Sequence, residues 1–466
     1  MRLGVRPSGE TLSTTTPDEA TSRAPNTSSA TSTSALDKPT YQYYVLLILF
    51  FGYVFNVIDR SSVLGAVLPS IKKEIAASNF QMGLLGGLAF SVFYSFLGIP
   101  LARLADRWSR VNVLAISVAL WSAATATCGL AFNYMSLFTS RVFTAVGEAG
   151  GSPSSHSLIS DYFSRSKRAT ALAVYAMAVP VGTSIGNASA GWFNVWYGWR
   201  VTFALVGIPG IIFAALIWLT VKEPPRGYSD GPTAKPRAAA PPFFQTFKFL
   251  IGRNSFMHMS VAAALHSLVW YSGTTWNASF LVWRHQLNTG QAGNYLAIFS
   301  LIGAVGSFAG GYLSDRLSTR NNDQRWYMWV PGIACIVMVP FQFAAYLSRD
   351  LSIVVPITFS MMFLLASMFF GPSFAVAQSI ATVRMRAVSA SVLLFIQTII
   401  GLTLGPAIVG KISDMLEPTV GQGAGIAYPM AAIGIVNLWA AVHYALAARR
   451  YREDLAETAK LNAALA

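Results

Sequence analysis

The sequence contains few charged residues: Asp, Glu, Lys and Arg make up 11% of its 466 residues, against about 25% in a soluble domain. It has only two cysteines and five histidines, and neither shows the spacing of a disulfide framework or of metal ligands. No phosphate-binding loop or dinucleotide-binding glycine motif is present in it. These absences argue against a soluble enzyme, a secreted disulfide-rich protein, a metal site and an ATP-driven pump, and we expect no cofactor.

The sequence instead contains many long runs of apolar residues. Apolar residues make up 54% of the chain, and a helix needs about 20 of them in succession to cross a bilayer. Twelve runs are long enough, and they cover about 43–68, 81–102, 111–131, 135–159, 170–194, 199–221, 255–283, 292–314, 326–347, 352–378, 387–412 and 428–448. The sequence therefore predicts an all-α integral membrane protein with twelve transmembrane helices.

The runs fall into two sets of six. Residues 1–40 contain 16 Ser or Thr and almost no large apolar side chain, which predicts a disordered tail. A segment rich in Pro, Lys and Arg separates the sixth run from the seventh. The predicted organisation is a cytoplasmic tail at 1–40, a six-helix bundle at 41–221, a cytoplasmic linker at 222–254, a second six-helix bundle at 255–449 and a cytoplasmic tail at 450–466.

The positive charge predicts the orientation. With the N-terminus in the cytoplasm, the tails and inner loops hold 25 Lys and Arg and the outer loops hold six. Cytoplasmic loops of membrane proteins carry this excess of positive charge. The net charge of +14 is therefore explained by topology and by contact with anionic lipids, and not by nucleic acid. We expect a multi-pass protein of the plasma (inner) membrane with both termini in the cytoplasm.

The two sets of six also repeat a loop motif. Asp106-Arg107-x2-Arg110 follows the second run, and Asp315-Arg316 follows the eighth. Corresponding signals at corresponding loops indicate a duplicated six-helix unit, related by an axis along the membrane normal.

These features resemble the major facilitator superfamily, whose loop motif is similar to Gly98-x7-Asp106-Arg107-x2-Arg110. A narrower set of motifs is similar to the spinster-like branch, whose animal relatives export sphingosine phosphate and lysophospholipids. These motifs are Asp59-Arg60, Arg141-x5-Gly147-Glu148 running into Gly150-Gly151-Ser152-Pro153, and Glu223-Pro-Pro-Arg-Gly227. The resemblance implies a twelve-helix fold in two pseudo-symmetric halves and transport by alternating access.

Four ionisable residues lie deep within apolar runs: Asp59, Arg60, Arg141 and Glu148. A charge at that depth costs about 2.5–3.5 kcal/mol on insertion scales, so four that sum to zero indicate a shared polar cavity. Counting depth from the loops predicts an interaction of Asp59 with Arg141, with Arg60 close by and Glu148 one level inward. A structural ion pair between the first and fourth runs is the alternative, and the two can coexist.

From these residues we predict a proton-coupled secondary transporter of an amphipathic or organic anion. Asp59 and Glu148 are the predicted proton-coupling residues. The predicted substrate-binding residues are Arg60, Arg141, Tyr271, Asn277, Gln378 and Gln397. The resemblance implies a cytoplasmic gate at Asp106, Arg107, Arg110, Asp315 and Arg316. A lysolipid or sphingoid phosphate is the favoured substrate, the expected partners are protons and membrane lipids, and the expected state is a monomer.

Several alternatives remain open. The organic-anion:proton symporter branch also shares Asp-Arg in the first run, so a symporter of sugar acids is the runner-up. An uncoupled uniporter fits the same residues. A channel or transporter-like receptor is the alternative from another class, whereas a membrane enzyme would need paired carboxylates, a histidine cluster or an activated nucleophile near the membrane surface.

Overall fold

The computed structural model describes residue 36 and residues 38–230, 243–382 and 384–465. Apart from Leu36 and residues 38–40, the predicted N-terminal tail lies outside these residues, as does 231–242 of the predicted linker. Across the described residues the regular structure is entirely helical. Twelve long helical segments, here called spans 1 to 12, cross the molecule in alternating directions, so the predicted twelve-helix all-α fold is confirmed.

Most spans are built from two or three helical pieces. In the N-terminal half, spans 1 to 6 comprise Pro39–Val57 with a π-helical turn Ile58–Ser62 and Val63–Ile75; Asn79–Gly86 with Leu88–Arg107; Arg110–Cys128; Tyr134–Glu148 with Gly151–Tyr162; Arg165–Ala176 with the first part of Ala178–Thr220; and the rest of Ala178–Thr220 beyond Gly198. The linker that follows holds a 3-10 turn, Tyr228–Asp230, and a short helix, Phe243–Ile251.

The C-terminal half repeats this arrangement. Spans 7 to 12 comprise Asn254–His285; Thr289–Asn321; Trp326–Leu347; Val354–Ser367 with Phe370–Ser379; Arg386–Gln397 with a π-helical turn Thr398–Leu402 and Thr403–Val420; and Gln422–Ala432 with Ile433–Ile435 and Val436–Leu465. The last helix therefore continues well beyond the apolar run 428–448.

Nine helices within the described residues are long and apolar enough to cross a membrane. One of them, Ser166–Thr220, contains both span 5 and span 6. Spans 4 and 7 are not among the nine. Span 4 is broken between Glu148 and Gly151 into helices of 15 and 12 residues, and span 7 is interrupted by Ser, Thr, His and Asn. Both spans supply side chains to the site described below, Arg141 from span 4 and Tyr271 from span 7.

The apolar core shows how the halves meet. We call the end that carries residues 39, 107–110 and 465 the terminal end, and the other the opposite end. Towards the opposite end, one buried cluster contains residues of both halves, among them Leu68 and Phe280. Towards the terminal end, the N-terminal half and the C-terminal half each have a cluster of their own. The halves therefore pack as one body at the opposite end and as two at the terminal end.

Spans 2 and 11 approach closely in this shared region. A Cβ atom at Gly83 would overlap the backbone of Pro406, and one at Gly410 would overlap the backbone of Asn79. Small residues allow helix backbones to come this near. The contact holds the two halves together towards the opposite end.

Candidate functional site

The centre of span 1 contains the π-helical turn Ile58–Ser62, which includes Asp59 and Arg60. In a π-turn the backbone hydrogen bonds join residues five apart rather than four apart. This change leaves backbone carbonyl groups free to accept from other donors. Arg141 of span 4 supplies those donors: its Nη1 donates to the Asp59 carbonyl at 3.0 Å and its Nη2 to the Arg60 carbonyl at 2.6 Å. The predicted contact between Asp59 and Arg141 thus forms through the main chain of the turn.

The two deep carboxylates are almost completely buried. Asp59 is 0% exposed and Glu148 is 1% exposed, and no hydrogen-bond partner for either carboxylate occurs among the described residues. Arg141 lies within electrostatic reach of both carboxylates, which also affect each other. Trp121 lies beside Asp59, and Asn56 lies beside Glu148. Buried carboxylates without fixed partners are suited to exchanging protons, because no hydrogen bond holds them in one protonation state.

Arg60 is enclosed by aromatic rings. Its guanidinium lies 4.7 Å from the ring centroid of Phe90 and 4.7 Å from that of Tyr94, both on span 2. These rings pack with Leu402 of span 11 and Tyr271 of span 7. Cation–π contacts hold a guanidinium without neutralising its charge. Arg60 is therefore a positioned, half-buried cation between the two halves.

The other predicted substrate-binding residues occupy different environments. Tyr271 lies in the cluster beside Arg60. Asn277 is buried, and its Oδ1 accepts a hydrogen bond from the Tyr346 hydroxyl at 2.6 Å. Gln397 is 2% exposed and directly precedes the π-turn of span 11, whereas Gln378 is exposed. The structure thus brings Tyr271 to Arg60 and commits Asn277 to a contact within its own half.

In the N-terminal loop motif, Arg110 makes the strongest contacts. It is 1% exposed and forms ion pairs with Asp161 and with Glu223, the latter at 2.7 Å. It also donates to the carbonyl of Pro224 at 2.7 Å. Arg107 is exposed. Asp106 belongs to the helix Leu88–Arg107, and its side chain lies outside the described part of the chain.

Neither acidic partner of Arg110, Asp161 or Glu223, was predicted from the sequence. Asp161 follows the Gly-Gly-Ser-Pro run and Glu223 opens the Glu-Pro-Pro-Arg-Gly motif. The acidic residues of these motifs are the signal that would have found them. Through Arg110, span 3 is tied to span 4 and to the segment after span 6, all within one half.

The second copy of the motif is more exposed. Asp315 accepts a hydrogen bond from the Tyr327 hydroxyl at 2.5 Å, and Arg316 donates to the Tyr312 hydroxyl at 2.9 Å. Both contacts lie within the C-terminal half, and both charged residues are exposed. Like the first copy of the motif, the second copy makes its side-chain contacts within its own half of the molecule.

A polar contact joins the halves at the opposite end. Asp414 of span 11 accepts hydrogen bonds from the backbone N–H groups of Asn79, at 2.7 Å, and Phe80, at 2.8 Å. These groups form the first turn of span 2, where a carboxylate also meets the positive end of the helix dipole. Beside it, Lys72 pairs with Glu417 at 2.8 Å. We call these five residues the opposite-end contact; their sequence separations of over 300 residues hid them from sequence analysis.

The opposite-end contact gives a first prediction. Asp414→Ala removes both acceptors and leaves the span 2 N–H groups unpaired, so we expect the halves to separate at this end in a larger fraction of molecules. Spin labels at the exposed positions Lys73 and Val420 measure the distance by double electron–electron resonance, and a longer-distance population should grow.

Asp350→Ala is the matched control for that experiment. Asp350 is an exposed acid at the same end, and its hydrogen bonds go to Ser352 and Ile353 of its own loop. The control should keep the parent distance distribution. An unchanged distribution in Asp414→Ala would show that this contact does not hold the halves together.

Comparisons with known proteins agree with this geometry. The family model of the Major Facilitator Superfamily matches residues 49–406. An MFS-type efflux pump of Mycolicibacterium smegmatis is 29% identical over 87% of this chain and 92% of its own length. A D-galactonate transporter of Escherichia coli is 26% identical over 87% of this chain and 95% of its own length.

A solved structure is also similar along its whole length. It is that of a bacterial homologue of the human lysosomal transporter spinster, in an inward-facing and unoccupied conformation. It is 30% identical, covers 90% of this chain and 99% of its own, and superposes with a TM-score of 0.81. The repeat, the twelve spans and these similarities lead to one assignment. The chain belongs to the major facilitator superfamily and is a spinster-like, multi-pass membrane transporter.

Proposed function

We propose that this transporter moves an amphipathic anion across the membrane by alternating access and couples the movement to protons. The observation that carries the proposal is the pairing of a positioned cation, Arg60, with two buried carboxylates that lack hydrogen bonds among the described residues. The cation offers donors to an anion, and the carboxylates offer sites for protons.

The headgroup of the substrate would bind at Arg60. A guanidinium forms strong, charge-assisted hydrogen bonds to phosphate or carboxylate oxygens. From the C-terminal half, Tyr271 of span 7 lies beside Arg60. The residue before it, Trp270, contacts Phe363 and Phe370, with ring centroids 6.1 and 5.8 Å away. These half-buried rings would accept an apolar tail, which favours a lysolipid or a sphingoid phosphate.

Proton coupling follows from the charges around Arg60. Glu148 lies within electrostatic reach of Arg60 and Arg141. An arriving anion would compensate the Arg60 charge that favours the ionised Glu148 carboxylate, so Glu148 would take up a proton as the substrate binds. Binding and protonation are thereby linked, which is the requirement for coupled transport.

In the conformational change, the joined opposite end would open and the open terminal end would close. The halves are joined at the opposite end and separate into two cores at the terminal end, and the similar solved structure is inward-facing. Breaking the opposite-end contact while the terminal end closes would expose Arg60 to the other side. From the excess of Lys and Arg in its loops we infer that the terminal end lies in the cytoplasm. We further propose that the transporter lies in the plasma (inner) membrane as a monomer.

A small organic anion is the second candidate, favoured by the similarity to the D-galactonate transporter. Such a substrate would need several hydroxyl partners, and Asn277 is already engaged by Tyr346. Uncoupled uniport is compatible with the same residues around Arg60. A channel or transporter-like receptor is the alternative from another class, and a receptor would bind the substrate without transporting it. Measured turnover in proteoliposomes separates the transporter from the receptor.

Competition binding tests the substrate class. With fluorescent lysophosphatidate as the probe and the protein in nanodiscs, we expect unlabelled lysophosphatidate to displace the probe at far lower concentration than glycerol 3-phosphate or D-galactonate. The reason is that burying the apolar tail against these aromatic side chains stabilises the complex. Arg60→Gln should weaken binding strongly.

Arg449→Gln is the control for the binding experiment, because Arg449 is an exposed arginine of span 12 and is not part of the cluster around Arg60. It should bind the probe as the parent does. If headgroup and whole lipid displace the probe equally well, the apolar tail contributes nothing to binding. That result would leave the small organic anion as the substrate class.

A further inference from the structure

A small cavity of about 10 Å³ lies inside the N-terminal half and is lined by residues of spans 1, 3, 4, 5 and 6. This volume is enough for about one water molecule. Its lining is partly polar, and the polar members are Tyr53, Asn56, Trp121, Ser152, Ser155 and Tyr175. All of them belong to the N-terminal half and lie level with, or on the terminal-end side of, the deep charges. A polar lining is the condition for a cavity to hold water rather than remain dry.

One side of this cavity reaches both buried carboxylates. Asn56 lines the cavity and lies beside Glu148, and Trp121 lines it and lies beside Asp59. The Nε1 of Trp121 and the four carboxylate oxygens are buried without a hydrogen-bond partner among the described residues. Buried polar atoms of this kind are normally paired with protein or with water. The cavity is the space beside these unpaired atoms in which a water molecule would fit.

The other side leads towards the surface at the terminal end. The ring of Tyr53 stacks on that of Tyr175, with centroids 4.7 Å apart, and Tyr175 meets the edge of His156 at 5.3 Å. His156 is exposed. The hydroxyls of Ser152 and Ser155 lie beside Tyr175. Hydroxyl and amide groups therefore run from an exposed histidine to the carboxylates.

We propose that this cavity holds water and supplies protons to Glu148 and Asp59 from the terminal end, by a route inside the N-terminal half. The function of the route rests on the proton coupling proposed above, whereas the presence of water does not. A substrate that fills the region between the halves blocks proton access there. A separate route lets the carboxylates exchange protons while substrate is bound.

The pH response of the pair depends on all the groups around it. The titratable and charged groups that act on Glu148, Asp59 or their immediate neighbours are Tyr53 and Arg60 of span 1, Tyr94 of span 2, Cys128 of span 3, Arg141 of span 4 and Tyr271 of span 7. The proposed water route reaches the carboxylates past Asn56 and Trp121, which line the cavity.

Hydroxyl-radical footprinting in nanodiscs tests for the water. X-ray radiolysis produces radicals from water inside the protein, so Trp121 and Tyr175 should be oxidised severalfold faster than matched buried rings. Trp276 and Tyr346 are those matched rings: both are buried, with polar atoms bonded to the Pro406 carbonyl and to Asn277. Equal rates for the two pairs would overturn the proposal, because the cavity would then be dry.

A pH jump followed by infrared spectroscopy tests the route. Protons are the only species added, so the experiment needs no substrate. The protonated-carboxyl band that disappears in Glu148→Gln reports this residue. Gly52 lines the cavity, and a Cβ there makes ordinary contacts with Phe213, at 3.4 Å, and Ile217, so Gly52→Val fills the space. We expect Glu148 to protonate about an order of magnitude more slowly in this variant.

Gly311→Val is the control, because a Cβ at this helical glycine meets nothing within 4 Å. Tyr175→Phe is the second variant; it removes only the hydroxyl, keeps the stacked ring and should also slow protonation. Parent rates in both cavity variants would overturn the route and leave the proposed coupling intact. A Glu148 band that never titrates would contradict the coupling itself, and the proton route with it.

Discussion

Proton-driven accumulation of substrate is expected to be lost in Asp59→Asn or Glu148→Gln, while substrate exchange across the membrane continues. Both substitutions keep the shape of the side chain and remove its ability to take up a proton. Both carboxylates are buried beside Arg141, so their neutral replacements fit the same space. In proteoliposomes we expect at least a tenfold loss of accumulation under a proton gradient, about 1.4 kcal/mol or more.

Counterflow without a gradient is the internal control for this experiment, since exchange of substrate for substrate requires no net proton movement. Asp350→Asn is the matched variant, because it removes an exposed carboxylate at the opposite end. Should both Asp59→Asn and Glu148→Gln accumulate substrate as the parent does across the physiological pH range, the coupling residues lie elsewhere or the protein is a uniporter.

The second large effect is expected at Arg141. Its guanidinium holds the carbonyls of Asp59 and Arg60 at once, and a lysine ammonium cannot reproduce this planar, two-pronged donation. Arg141→Lys should therefore release the π-turn and abolish transport. Arg141→Met should also destabilise the fold by about 3–5 kcal/mol, because it leaves a buried carboxylate uncompensated. Thermal unfolding in detergent measures the difference.

A double variant separates stability from transport. Arg141→Met combined with Asp59→Asn removes the uncompensated charge, so it should regain much of the lost thermal stability without regaining transport. Arg449→Lys, at an exposed position of span 12, should change neither property. Parent-like transport by Arg141→Lys would be incompatible with a requirement for two donors at the turn.

The four deep charges show what a sequence can reveal about such a site. Asp59, Arg60, Arg141 and Glu148 stand out because charge within an apolar run is costly, and that cost can be read from one helix at a time. The structure buries Asp59, Arg141 and Glu148 almost completely and half-buries Arg60. Their partners were less predictable. The carbonyls that Arg141 holds become available only because span 1 forms a π-turn, and no residue pattern marks that turn.

Contacts between distant parts of the chain were the least predictable. Asp414 meets the first turn of span 2 across more than 300 residues, and in the sequence it is an ordinary polar residue near a loop. Tyr271 was named from its place in span 7, but only packing brings it to the rings of Phe90 and Tyr94 around Arg60. The polar cavity beside Trp121 draws on five spans, and each of them alone looks like apolar helix.

The sequence by itself determined the class of this protein: apolar length set the twelve spans, the loop charges set the expected orientation, and the repeated Asp-Arg motif set the two halves. These properties are local, because the cost of placing a backbone or a charge in lipid depends on the single helix that carries it. Only the tertiary structure decided which end is joined, which groups hold Arg141 and Arg60, and where a cavity reaches the carboxylates. Those outcomes depend on how helices pack against one another, and packing is set by shape and hydrogen bonding between segments far apart in the chain.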